Sequence, residues 1–282
     1  MRIQKHVSQS ARQEQRSSMS WLLCDWKTRK CTHTSKGKTM KYSPANSKLQ
    51  KLQKKTMRKV YSFDLLSGHT CPGAKDCFAK VDYDWDTDEY KLVDGPDQQF
   101  RCYSASQEAQ YPGTYNMRLA NWEAISELRS PNQIAQGLCS NLPNDVETTR
   151  IHSAGDIFKE SYFKAWILVA KRNPDVIFYA YTKMLTFWVK HRNIIPDNLI
   201  LTASRGGKWD QLIDTHNLRE VVVVYSVEEA DELGLELDND DSHAADPNNK
   251  EKNFALLIHG MGPTGSRQAK IAASVRKTKI SA

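Results

Sequence analysis

The sequence predicts an α/β protein of repeated βα units, with about six mainly parallel strands. It favours a partial (βα)6-type barrel over an open doubly wound sheet. Three observations lead there. From residue 59 onward, short apolar or β-branched runs alternate with segments of helical apolar spacing. Some runs are apolar on both faces, as in strands covered by helices on each side. No GxGxxG follows the first strand and no GxxxxGKS or GxxxxGKT occurs, so the usual nucleotide fingerprints of doubly wound sheets are missing.

Taken in order, "KVYSFDLL" (59–66) reads as the first strand and runs into "SGHTCPG", a loop by its Gly and Pro. Residues 106–129 carry a helical pattern interrupted at Pro112-Gly113, and "PNQIAQGLC" (131–139) adds a further helical turn or two. "TTRIH" (148–152) is the second strand. The helix "KESYFKAWILVAKRN" (159–173) follows, with Phe163, Trp166, Ile167 and Ala170 on one stripe. "DVIFYAYT" (175–182), "NLILTA" (198–203), "REVVVVYS" (219–226) and "NFALLIHG" (253–260) are strands three to six. Helices at 183–192, 207–215 and 265–277 complete the alternation. The acidic segment after Arg219 has no Lys or Arg before Lys250 and reads as a loop or short helix with a solvated excursion.

Charge divides the chain. Residues 1–60 hold 16 Lys and Arg against Glu14 and Asp25, a net of +14, whereas the remainder holds 24 against 31 acids, a net of −7. The expectation is a basic, disordered arm over 1–44 and a single α/β domain over 45–282. The arm, with Trp21 and Trp26 interleaved, suits a nucleic acid or a host protein as partner. Cys24, Cys31 and His33 within it lack a standard zinc spacing. No stretch has the length and apolarity of a membrane span, no apolar signal region opens the chain, and six cysteines are too few for a disulfide scaffold. A cytoplasmic protein with reduced thiols is expected.

In βα architectures functional groups gather on loops after the C-terminal ends of strands. After strand one come His69, Cys71, Cys77 and a delayed Cys102. His152, Ser153, Gly155 and Asp156 follow strand two, and Tyr181, Thr182 and Lys183 end strand three. Ser204, Arg205, Gly206 and Gly207 follow strand four, and His259-Gly260 ends strand six. Three soft thiolate donors near one strand end suit an iron–sulfur cluster with one iron left open, or zinc with His69 as fourth ligand. The alternating acids and the "DGPD" signal between Cys77 and Cys102 predict a hairpin inserted at about 78–100, which would return Cys102 to Cys77. Asp82, Asp84 and Asp86 do not make a calcium loop, because Thr87 and Val93 replace its glycine and its last glutamate.

"SPANSKLQKL", "CPGAKDC", "RCYSA", "YPGTY", "RIHSAGDIFKESYFKAWILVAKRNPDVIFYAYTK" and "LLIHGMGPTGS" resemble the bacteriophage gene-product-88 family, over roughly residues 43–270. That resemblance implies a phage or prophage source and a domain, but no mechanism. A more distant similarity is to radical S-adenosylmethionine enzymes. Those carry a three-cysteine loop after the first strand of a six-unit partial barrel and a glycine-rich acidic turn after the second. It implies Cys71, Cys77 and Cys102 as cluster ligands. Gly155, Asp156, Ser204, Gly206 and Gly207 become cofactor contacts, with Asp156, Lys183 and His259 at the mouth as acid, base or hydrogen-bond partners. The CxxxCxxC spacing of those enzymes is absent here. The function expected is therefore a cysteine-ligated metal protein, with nucleic-acid or host-factor binding and a zinc-stapled accessory protein as the alternatives.

Overall fold

The computed structural model describes residues 39–84 and 86–258. The expected closing helix at 265–277, His259, and nearly all of the basic arm lie outside the described residues. Among them a seven-stranded sheet is formed by β1 (Ser43–Pro44), β2 (Val60–Phe63), β5 (Thr148–Ile151), β6 (Ile177–Thr182), β7 (Leu199–Ser204), β8 (Glu220–Val224) and β9 (Phe254–Leu257), in that spatial order. β1 pairs antiparallel with β2, and every later neighbour is parallel. Pro44 suits this place, since an edge strand can lack one N–H.

From β2 to β9 the strands lie side by side in chain order. A doubly wound sheet reverses its order at a switch point, and none occurs here. The sheet ends at β1 on one side and β9 on the other, so a closed barrel is not formed.

Strand periodicity divides the core. Phe63, Ile151, Phe178, Ala180, Leu199 and Leu201 pack on one face against the crossover helices α4 (Pro131–Ser140) and α5 (Glu160–Arg172). Trp166 is 1% exposed at the centre of this layer, on the stripe that the spacing of α5 predicts. A capping box between Ser130 and Gln133, with Pro131 in the first turn, starts α4 cleanly.

On the other face Val60, Tyr179, Ile200, Val221 and Phe254 meet Leu49 and Leu52 of α1 (Ser47–Thr56) and Ala244 and Ala245 of α9 (Ser242–Ala245). Asn46 caps α1 by accepting from the Lys48 and Leu49 amides.

Three sequence expectations change. Residues 40–44 belong to the packed domain and not to the arm, because Met40 is buried in the core and β1 extends the sheet. Pro112 does not interrupt a helix. It begins α3 (Pro112–Ser126) directly after α2 (Tyr103–Gln110). The acidic segment holds short helices as expected, α8 (Val227–Glu232) and α9, but it is not solvated throughout, since Asp241 between them is fully buried. The remaining helices are α6 (Leu185–His191) and α7 (Gln211–His216). Among the described residues no helix is long and apolar enough to cross a membrane.

Candidate functional site at the C-terminal strand ends

The C-terminal ends of β2, β5, β6 and β7 surround a cavity of about 150 Å³. Cys71, Cys77 and Cys102 all line it. Gly155, Asp156, Lys183 and Ser204 share its wall, so loops separated by up to 133 positions in the sequence meet at one place.

Local geometry holds the thiols there. The Thr70 hydroxyl donates to the Leu66 carbonyl at 2.7 Å, and the Cys71 amide donates to Gly68. Gly73 then passes against β6: a Cβ there would stand 2.5 Å from the Lys183 carbonyl oxygen, so only glycine allows this approach. The Asp76 amide donates to Gly206, pinning the loop to the end of β7.

β3 (Ala79–Asp84) and β4 (Glu89–Asp94) form the expected hairpin, with Ala79 opposite Asp94. At its base the Gln99 and Phe100 amides both donate to the Asp76 carbonyl, which returns the chain beside Cys77 and places Cys102 at the start of α2.

Burial keeps the thiols neutral. It pushes Cys71 well above the ordinary thiol value, with Asp156, Cys102 and Cys77 adding to the effect. Cys77 rises to about 11 through burial, partly opposed by the Lys183 charge, and burial also raises Cys102. No three His, Cys, Asp or Glu side chains among the described residues are grouped so as to hold a metal ion. His69 is not brought to the thiols. Its Nε2 lies 2.9 Å from the Val81 carbonyl, its ring stacks on Trp122, and it does not line the cavity. Four-ligand zinc with His69 therefore has no counterpart here.

Asp156 and Lys183 are engaged rather than free. The Asp156 carboxylate accepts from the Ile157 amide, the Thr182 hydroxyl and the Lys183 amide at 2.6–2.8 Å. The Lys183 ammonium donates to the Ser204 carbonyl, the Ser204 hydroxyl and the Arg205 carbonyl, which uses its three protons. Both residues clamp the loops that form the wall. Gly206 and Gly207 do not line the cavity; their amides donate to the Asp210 carboxylate. Gly155 has φ +84°, and a Cβ there would stand 2.6 Å from Thr70 Oγ1, so it locks the β5 turn onto the thiol loop.

Sequence reasoning missed Arg150, Asp64 and Asp241. Arg150 also lines the cavity and pairs with Asp241, which accepts from Tyr179 and Tyr181 as well. Asp64 accepts from the Ser153 and Ala154 amides, fixing the turn after β5. An arginine within the otherwise uncharged "TTRI" was the available signal for the first of these.

The family model described as Gene product 88 matches residues 21–277. The chain belongs to the Gene product 88 family. It is similar to the Gene 88 protein of Mycobacterium phage L5, with 31% identity over 111 residues, covering 36% of this chain and 46% of that protein. The chain thus matches about half the length of this curated relative. No solved structure matches. For this family member, the cavity and its three thiols carry the functional reading.

Proposed function

We propose that this chain is an iron–sulfur protein whose cluster is held by Cys71, Cys77 and Cys102 in the cavity at the strand ends. One observation carries the reading: three thiols, the third returned by a 79–94 hairpin, line a single small cavity. Three thiols without His69 beside them suit a three-cysteine cluster better than a four-coordinate zinc. A single zinc draws its sulfurs within about 2.3 Å of one point, whereas a cluster keeps its thiolates apart by the width of its inorganic core. Cys71 senses both other thiols electrostatically and Cys77 senses Cys102, although no tight metal-ion group exists among the described residues.

Neutral, half-buried thiols fit this role, because cationic iron offsets the cost of ionising them. The cluster would supply one-electron chemistry, with one iron free of protein ligands for S-adenosylmethionine. Asp156, Lys183 and Gly155 shape the wall beside it by holding the turns after β5, β6 and β7 together.

Anaerobic purification with iron and sulfide analysis tests this. A brown protein with bound iron and sulfide is expected, lost in the C71S/C77S/C102S variant and kept in Cys139→Ser. A colourless protein without iron after reconstitution would overturn the reading. Formation of 5′-deoxyadenosine by the reconstituted, reduced protein tests the S-adenosylmethionine part separately.

A further inference from the structure

We infer that the end of β5 is a carboxylate-binding seat, in which Arg150 and Ser153 hold the acid group of a small organic ligand inside the cavity. Arg150, His152 and Ser153 all line it. Arg150 Nε donates to the His152 carbonyl and its Nη1 to Asp241, leaving Nη2 with no partner among the described residues. Ser153 Oγ is buried with no hydrogen-bond partner there. His152, 3% exposed, is engaged through Nε2 with the Tyr162 hydroxyl, while its buried Nδ1 has no partner. Buried polar atoms are nearly always satisfied. Three open atoms on three cavity-lining residues of one strand end therefore point to a ligand that completes them.

The backbone is also held out of its ordinary range at this place. His152 adopts φ +69°, in the left-handed region that few residues other than glycine enter, histidine being among the more tolerant of them. The Asp64 carboxylate maintains it by taking the next two amides. The strain places Ser153 on the cavity wall beside Arg150.

A carboxylate fits better than a phosphate. Asp241 is shared between Arg150 and Lys48, so the guanidinium is only partly neutralised. Its one open nitrogen and the Ser153 hydroxyl offer two donors, which suits a singly charged planar group with two oxygens. A phosphate brings up to two charges and needs more cationic donors, yet the Lys183 ammonium is already used on Ser204 and Arg205. The Tyr103 and Tyr181 rings line the same space and suit an organic remainder. The seat does not depend on iron at the thiols.

Saturation-transfer NMR of the full chain with acetate, competed by inorganic phosphate, tests the seat. A saturable acetate signal is expected, with affinity falling about fivefold to tenfold in Ser153→Ala. That variant deletes a hydroxyl that bonds nothing, so its thermal unfolding should be unchanged and a fold defect cannot mimic the loss. Arg150→Lys, which keeps the charge for Asp241 but not the fork, should lose more. Absent transfer, or equal acetate binding by wild type and Ser153→Ala, would overturn the seat. Phosphate displacing acetate at lower concentration would overturn the carboxylate assignment. The acetate titration is run on protein freed of any iron, so failure of the iron reading leaves this result distinguishable.

Discussion

The backbone nitrogen of Lys183 donates to Asp156 Oδ2 at 2.8 Å, tying the end of β6 to the turn after β5. The same carboxylate takes the Thr182 hydroxyl at 2.6 Å. Sequence position marks Asp156 and Lys183 as acid and base candidates; their bonds make them the frame of the cavity.

Removing that frame should be costly. Asp156→Ala leaves the Ile157 and Lys183 amides and the Thr182 hydroxyl without their acceptor in a buried place. A loss of about 2–4 kcal/mol is expected in urea denaturation, and a smaller one for Asp156→Asn, which keeps one carbonyl oxygen. An unaltered midpoint for Asp156→Ala would refute the clamp.

Neighbouring acids in "DNDD" should behave very differently. Asp241 is fully buried between Arg150 and Lys48, so Asp241→Ala strands a buried guanidinium and should cost about 3–5 kcal/mol. Asp240 pairs with the largely exposed Lys55, and Asp240→Ala should cost about 0–1 kcal/mol. Equilibrium unfolding of the two variants side by side provides the comparison.

Acid should weaken the fold through His152. Burial, followed by the Arg150 charge, lowers its imidazole to about 3, against about 6.5 in an unfolded chain. Between those values the unfolded state binds the extra proton, so stability falls as pH drops from about 6.5 towards 3, by up to about 1.4 kcal/mol per pH unit. Arg150 and Asp241 keep their charges through most of this window: burial pushes Asp241 up, but Arg150 and Lys48 overcome it and hold the group at about 2. Asn tolerates a positive φ, so His152→Asn should flatten the slope of stability against pH while retaining the turn. An unchanged slope in that variant would assign the acid sensitivity elsewhere.

The iron-free thiols should be poor nucleophiles at neutral pH. Burial raises all three, and Cys77 reaches about 11. Iodoacetamide labelling followed by peptide mass spectrometry should show slow modification of Cys77 at pH 7, accelerating towards pH 11. Rapid labelling at pH 7 would show that the thiol is ionised in the folded protein.

Much of the fold was legible because strand and helix periods are local properties. The stripe Phe163, Trp166, Ile167 and Ala170 became the core face of α5, and "DVIFYAYT" became a central strand with Phe178 and Tyr179 buried on opposite faces. The hairpin was legible from its alternating residues, although the "DGPD" signal lies at the end of β4 and the turn itself falls between Asp84 and Glu89. β1 was hidden by its two-residue length and α1 by its charge: "SKLQKLQKKT" contributes only Leu49 and Leu52 to the core, which a composition dominated by Lys obscures.

The sequence alone determined that His69, the thiols, Asp156, Lys183, Ser204, Gly206 and Gly207 would lie on loops at one end of the parallel strands. That follows from the direction of a βα repeat, whatever the packing. Which side chains face the cavity was decided by contacts between distant segments. Gly73 against Lys183, Gly155 against Thr70 and the Asp76 carbonyl under Phe100 brought three thiols to one wall. The same packing turned His69 onto Val81 and Trp122 and admitted Arg150, held by an aspartate 91 residues away. Periodicity fixes the face on which a residue stands; the partner that satisfies a buried charge or amide exists only once the chain has folded.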